Sequence, residues 1–305
     1  MILNQIVPIV IIILLGIWVE KKQLLGTQGY RTINNFAYYI GMPLLLVSSI
    51  ATHPIALKEY QNYSLAFVLS MLALFISVFG YFIIKGNASN LAALKGLGAT
   101  FPNSGFIGIP ILTALFGQIG LTTAAFSTLL TLAPFSIVII ILEINKSGFR
   151  MAFFDALYAM MKNPLLVATI SGLLISYYHL TLPPFMLNTC QILGNSAIPC
   201  ALLGVGQMLV VFKIKKLSEI YAIVILKIVV HPLVALCFFY WLHVNPKLIV
   251  MGVIIASLPT AVMQSVLAYQ YSAYEAESSG LVLLTTVLSF ISLPVIIYWI
   301  LGSVK

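Results

Sequence analysis

Proline and glycine recur along this chain at a nearly constant interval, and that recurrence restricts the fold to a duplicated one. Pro8 and Pro164, Gly16 and Gly172, and Pro43 and Pro199 are each 156 residues apart. Pro102 and Pro259 follow at 157, and Pro134 and Pro294 at 160. The pairs keep their order, and the interval widens slowly, as small loop insertions would widen it. The expected organisation is a first repeat over residues 1–145, a short cytoplasmic connection over 146–162 and a second repeat over 163–305.

The solvent of these repeats is lipid. Hydrophobic residues make up 61% of the chain and charged residues 7%, with a mean hydropathy of +1.10, whereas a soluble domain carries roughly 25% charged residues. An apolar run of about 20 residues crosses a bilayer as a helix. Ten such runs are expected, near 4–19, 34–53, 62–84, 92–116, 119–142, 163–181, 185–211, 218–243, 247–270 and 278–301. Glu20, Lys21 and Lys22 follow the first run, and no basic residue precedes it. A retained span is therefore expected there, not a cleaved signal.

The basic residues orient the chain. Lys21, Lys22, Arg31, Lys85, Lys95, Lys146, Arg150, Lys162, Lys213, Lys215 and Lys216 fall on one side of a ten-span threading, against Lys58, Lys247 and Lys305 on the other. The positive-inside rule then places both termini outside the cytoplasm of a multi-pass protein of the cell (inner or plasma) membrane. The net charge of +8 is spread over separate loops, which excludes the concentrated basic patch of a nucleic-acid partner. Cys190, Cys200 and Cys237 have neither metal-site nor redox spacing, so no metal or cofactor is expected and the thiols read as packing groups.

Five spans per half is an odd number, so the second half enters the membrane from the opposite side. Inverted repeats of this kind build secondary transporters, whose substrate sits near the midplane between interrupted helices. Each half should then carry a breaker at a corresponding place, and each does. Gly98-Ala-Thr-Phe-Pro102-Asn103-Ser104-Gly105-Phe-Ile-Gly108-Ile-Pro110 lies inside the fourth run, and Ala256-Ser-Leu-Pro259-Thr260-Ala-Val-Met-Gln264-Ser inside the ninth. Proline removes a backbone donor, glycine tolerates unwound backbone, and the opened groups must face protein or a water-filled cavity. Half-helix N-termini carry partial positive charge, which suits an anion.

The ionisable residues agree. Glu20, Glu59, Glu143, Asp155, Glu219, Glu275 and Glu277 all lie at span ends or in loops, leaving no mid-membrane carboxylate of the kind a cation pump keeps. Lys227 is the one central charge, with His231 a turn later; it either binds opened crossover carbonyls or assists an anionic substrate. His53, His179 and His243 sit at span ends. Asn195-Ser196, before Pro199, and Ser48-Ser49, after Pro43, are small polar residues that glue helices or face substrate.

These motifs resemble the auxin efflux carrier family, the bacterial relatives of the plant PIN auxin transporters, over nearly the whole chain. Phe101-Pro102-Asn103-Ser104-Gly105-Phe-Ile-Gly108-Ile-Pro110 is similar to the family's first crossover, and Leu258-Pro259-Thr260 with Val266-Leu267-Ala268 to its second. Lys227 to Pro232 also looks like a pattern of bacterial members. The resemblance implies a fold shared with sodium/proton antiporters and bile-acid symporters. A scaffold of spans 1, 2, 6 and 7 would support a transport domain of spans 3–5 and 8–10 that moves in an elevator-like step. It assigns Asn103 to the substrate carboxylate and points to malonate, malate or an auxin-like acid. Two features depart from the plant pattern: the long hydrophilic loop between spans five and six is absent, and the second crossover has Thr260 and Gln264 in place of an asparagine.

The expected function is thus a secondary carrier, not an enzyme, moving a small organic anion by alternating access. Asn103, Ser104, Gly105, Thr260, Gln264 and Lys227 would bind substrate, Pro102, Gly108, Pro110 and Pro259 would keep the helices open, and His231, Asn195 and Ser196 are secondary candidates. A proton or a sodium ion is the candidate coupling ion, and a homodimer the candidate assembly. A cation-coupled exchanger on the same fold and a non-transporting receptor are the alternatives. An intramembrane hydrolase would need a G-x-S-x-G elbow or H-E-x-x-H spacing, and the chain has neither.

Overall fold

In hydrocarbon every backbone N–H and C=O needs a partner inside its own segment, so apolar runs of this length become helices. The computed structural model describes residues 2–52, 57–212 and 217–303, and among them the named elements are all helical. His53, Lys213, Lys215, Lys216 and Lys305 lie outside the described residues, as do the side chains of Lys146 and Glu219.

The helices are α1 (Ile2–Lys21), α2 (Gly29–Thr52), α3 (Tyr60–Ile84), α4 (Ser89–Thr100), α5 (Ile109–Leu130), α6 (Leu132–Met161), α7 (Pro164–Tyr177), α8 (Pro184–Val211), α9 (Ile220–Trp241), α10 (Pro246–Ala256), α11 (Val262–Gln270) and α12 (Glu275–Ser303). Six continuous stretches are long and apolar enough to cross a membrane: Gly29–Thr52, Tyr60–Ile84, Ser104–Ile144, Pro184–Val211, Ile220–Trp241 and Glu275–Gly302. The fourth and ninth expected runs fall short of that length because each is split in two, into α4 and the segment from Ser104, and into α10 and α11. α7 is a shorter apolar helix over the sixth run. Gly117 (φ 61°) breaks the helical course of α5 at the expected boundary between runs four and five, and Gly148 (φ 74°) breaks α6. The expected connection over 146–162 is therefore largely helical.

The chain forms two compact units. The first comprises residues 1–57, 104–129 and 161–211, and so holds α1, α2, α7, α8 and most of α5. Lipid offers helices no hydrophobic drive to associate, so close packing through small residues does that work. α1 meets α8 backbone to backbone: a Cβ on Gly206 would lie 2.0 Å from the Ile13 carbonyl oxygen, and one on Gly16 would lie 2.2 Å from that of Leu203. α2 meets α8 at Gly41 against Ala197 and at Gly194 against Leu45, and meets α7 at Gly172 against Ile50. At the end of this seam Gln207 donates to the buried Glu20 carboxylate at 3.0 Å, and Gln23 donates to its other oxygen at 3.1 Å. Gln118 donates to the Ser49 hydroxyl.

Residues 104–129 group here and not with the remainder of spans four and five, which departs from the expected scaffold of spans 1, 2, 6 and 7 alone. The causes are local. The π-helical turn Ser104–Gly108 packs on α8, and the Phe106 ring stacks on Tyr38 of α2 with centroids 6.1 Å apart.

The second unit comprises residues 58–103, 130–160 and 212–305, with α3, α4, α9, α10, α11, α12 and nearly all of α6. Its anchor is an aromatic stack of Tyr63, Phe67 and Phe239, with neighbouring centroids 5.4 and 5.8 Å apart. Gly252 of α10 leaves room for the stack, since a Cβ there would lie 2.4 Å from Phe239. Gly96 likewise lets α4 lie against Phe75 of α3. Between α11 and α12, the Tyr271 hydroxyl donates to Glu143. Burial, reinforced by that carboxylate, raises the phenol above its ordinary pKa and keeps it protonated.

Replacing Gly206 by valine must part α1 from α8, because its Cβ meets main chain and not a yielding side chain. The expected cost is about 1–3 kcal/mol, read as a fall in the melting temperature of the full-length protein in detergent. Gly80, with nothing within 4 Å of its would-be Cβ, is the control, and its alanine variant should melt no lower than the parent.

Candidate functional site

The second unit is organised around the two broken runs. α4 stops at Thr100 because Pro102 disfavours helical backbone at the residue before it; Phe101 is extended (φ −87°, ψ 98°). α10 stops at Ala256 ahead of Pro259 in the same way, and extended Ala261 (φ −66°, ψ 141°) precedes α11. The two unwound stretches run antiparallel and pair as an isolated bridge between Pro102 and Thr260. The Asn103 N–H donates to the Pro259 carbonyl at 2.8 Å, and the Ala261 N–H to the Phe101 carbonyl at 2.9 Å. Each break thus satisfies the other, where an unpaired backbone group in hydrocarbon would cost several kcal/mol.

Side chains lock this crossing. The Thr260 hydroxyl donates to the Gly98 carbonyl at 2.8 Å, and the Thr260 N–H donates to the Thr285 hydroxyl at 3.1 Å. Gln264 donates its amide to the Leu94 carbonyl at 3.0 Å and accepts from the Ser278 hydroxyl. Gly98 and Leu94 belong to α4, so two residues of the second crossover hold the first. Both side chains are fully buried and are engaged by the protein itself.

Lys227 is fully buried, in the π-helical turn Leu226–Val230 within α9. Its ammonium nitrogen donates to the Ala256 carbonyl at 2.7 Å and lies 3.0 Å from Nδ1 of the equally buried His231. Ala256 ends α10, and the last four carbonyls of a helix lack intrahelical donors. A cation there also complements the negative end of the helix dipole.

Of the sequence-predicted residues, the second unit therefore assembles Pro102, Asn103, Lys227, His231, Pro259, Thr260 and Gln264, all buried. The first unit holds Ser104, Gly105, Gly108, Pro110, Asn195 and Ser196. There Ser104 accepts from the Thr128 hydroxyl at 2.9 Å, and Ser196 donates to its own helix at the Leu193 carbonyl. Asn195 is exposed, although it lies within an apolar helix. Thr285, Ser278 and Thr128 were missed by sequence reasoning. Their only signal was a hydroxyl inside an apolar run, which also describes ordinary helix-packing residues.

Chemically the crossing offers uncapped N–H groups at the start of α11, for which no side-chain cap is present, the Asn103 side chain, and one buried amine. These groups are hydrogen-bond donors, the kind that can bond to an anion. Among the described residues no group of three or more His, Cys, Asp or Glu could hold a metal ion.

Comparison with known proteins identifies the family. The profile of the family described as "Membrane transport protein" matches residues 1–153 and 145–297. The chain is 24% identical over 288 residues to a Rhizobium meliloti protein named "Putative malonate transporter", covering 88% of this chain and 86% of the relative. It is 22% identical over 303 residues to the "Uncharacterized transporter YfdV" of Escherichia coli, covering 97% and 96%. An "Uncharacterized transporter" of Methanothermobacter thermautotrophicus is 24% identical over 307 residues, covering 95% and 96%. The chain belongs to this family of membrane transport proteins, the auxin efflux carriers that its crossover motifs resemble.

Thr260→Val keeps the shape of the side chain and removes its donor, leaving the Gly98 carbonyl without that partner. Gln264→Leu does the same to the Leu94 carbonyl. Each is expected to lose about 1–3 kcal/mol, seen as a lowered melting temperature. Unchanged melting in both would show that these side chains do not lock the crossing.

Proposed function

We propose that the protein is a secondary transporter of small organic carboxylates, built as two inverted five-span repeats whose interrupted fourth and ninth spans cross at the substrate site. The observation that carries this reading is the paired crossing itself. Two helices broken at corresponding places of two repeats bond to each other through their unwound backbones, around residues suited to an anion.

The packing supports the repeat. Gly41 of α2 faces Ala197 of α8 across the same 156-residue interval that separates Pro43 from Pro199. Residues so related meet when the helices lie about a two-fold axis. Gly16 packs against α8 and its counterpart Gly172 against α2, the exchange of partners that duplication requires. Side-chain contacts also join ends that ten-span threading places on one side. Glu143 with Tyr271 and Lys95 with Tyr274 lie toward the cytoplasm, and Ser49 with Gln118 lies outside.

In this reading both termini are extracytoplasmic. The Asn103 amide and the first N–H groups of α11 receive the carboxylate. Lys227 offsets its charge, and Thr260 and Gln264 hold the crossing in shape. The second unit is the moving body of an elevator-like cycle. A short dicarboxylate such as malonate or malate suits a crossing with N–H donors and one buried amine, and accords with the name of the Rhizobium relative.

The test is radiolabelled malonate and malate counterflow in proteoliposomes. Saturable exchange is expected, and Asn103→Ala should slow it at low substrate by about tenfold or more, the loss of one hydrogen bond to a charged group. Exchange of neither acid, or exchange indifferent to Asn103→Ala, would contradict the assignment.

A further inference from the structure

The arrangement of Lys227, His231 and Ala256 has a property that a fixed structural cation does not require. An ammonium has three N–H donors and no lone pair, yet among the described residues Lys227 meets two acceptors, the Ala256 carbonyl and His231 Nδ1, and neither is a carboxylate. On the other side of the imidazole, His231 Nε2 is buried without a hydrogen-bond partner. The helices packed on α9 carry Lys95 on α4, Glu275 and Glu277 on α12, Lys247 on α10, and Tyr60, Tyr63 and Tyr81 on α3. Lys95 is held elsewhere, by Asn87 at 3.2 Å and over the Phe82 ring at 4.2 Å.

The same heavy-atom positions accommodate two protonation states equally. In one, the ammonium donates to Ala256 and to an unprotonated Nδ1, with the imidazole proton on Nε2. In the other, the neutral amine donates to Ala256 and its lone pair accepts from Nδ1–H, leaving Nε2 unprotonated. The states differ by one proton and no atom need move. The geometry points to a proton-coupling site in which Lys227 stores the proton and His231 relays it, so that carboxylate and proton move in the same direction.

Loading is balanced. A proton from water bonds to Nε2, the Nδ1–H bond breaks, and that proton forms the third N–H bond of Nζ. Unloading reverses each step. Lys227 and His231 are both fully buried here, so exchange with water requires another conformation, as a coupled carrier needs. Coupling to substrate rests on the carrier reading given above. A carboxylate bound at the crossing favours the protonated amine bonded to Ala256, and by linkage the proton favours the carboxylate to the same degree.

Two measurements on the full-length protein test this. Potentiometric titration from about pH 5 to 9, the range in which histidine and perturbed amines change charge, should find one proton fewer bound per chain in Lys227→Met than in the parent. Proteoliposomes containing pyranine should acidify as malonate enters down its gradient. Lys227→Met also removes the charge that offsets the carboxylate, so proton entry is read per malonate transported; on that ratio the variant should lose both this acidification and accumulation driven by a pH gradient. Should Lys227→Met fail to fold, His231→Gln interrupts the relay while leaving the Lys227–Ala256 bond, and should lose the acidification too. Coincident titration curves, or unchanged proton movement in the folded variants, would overturn the inference. Absence of malonate flux in the parent would instead overturn the carrier reading for that acid, with the titration still deciding whether the pair holds a proton.

Discussion

Two hydrogen bonds, from Asn103 to Pro259 and from Ala261 to Phe101, are the interaction on which the second unit depends. A helix broken in lipid is costly because its freed backbone groups have no water to turn to. Here the cost is met reciprocally: each break supplies the donor and the acceptor that the other lacks. Each interruption therefore relies on the other for its backbone partners. The crossing also gathers two helix C-termini and the N-terminus of α11 into one small region, so polar backbone is concentrated where the surrounding helices are apolar.

The rest of the unit serves to keep that crossing in register. Thr260 and Gln264 tie the second break to the helix that leads into the first, Thr285 and Ser278 tie it to α12, and Lys227 ties it to α9. Around them the stack of Tyr63, Phe67 and Phe239, admitted by Gly252, fixes α3, α9 and α10 without directional bonds. The first unit uses a different device. Its glycines bring helix backbones into direct contact, and side-chain bonds such as Gln207 to Glu20 and Gln118 to Ser49 join the helices as well.

Much of this was legible in the sequence, for identifiable reasons. Helices and their breaks follow from hydropathy and from proline, which act locally, so the interruptions at Pro102 and Pro259 and the turn at Gly117 lie where they were expected. Lys227 could be singled out because charge in an apolar run is rare. What could not be read is how the small polar residues are shared out. Thr260 and Gln264 looked like substrate ligands, yet their polar atoms bond to Gly98, Leu94 and Ser278. Thr285, Ser278 and Thr128 carried no signal beyond a hydroxyl in an apolar run, yet they contact crossover residues. A hydroxyl's role depends on what faces it across a helix interface, and that information is tertiary. The grouping of residues 104–129 with the first unit was hidden for the same reason, since it depends on contacts such as Phe106 on Tyr38.

The proposed transport rests on a carboxylate binding at the crossing of the two interrupted helices. Hydrogen–deuterium exchange of the full-length protein in lipid nanodiscs, with and without malonate, reads this directly from the backbone. Slowed exchange is expected at the peptides that contain residues 101–103 and 256–265, with α1, α2 and α7 unchanged. Protection absent from both crossover peptides, or concentrated on α1, α2 and α7, would contradict it.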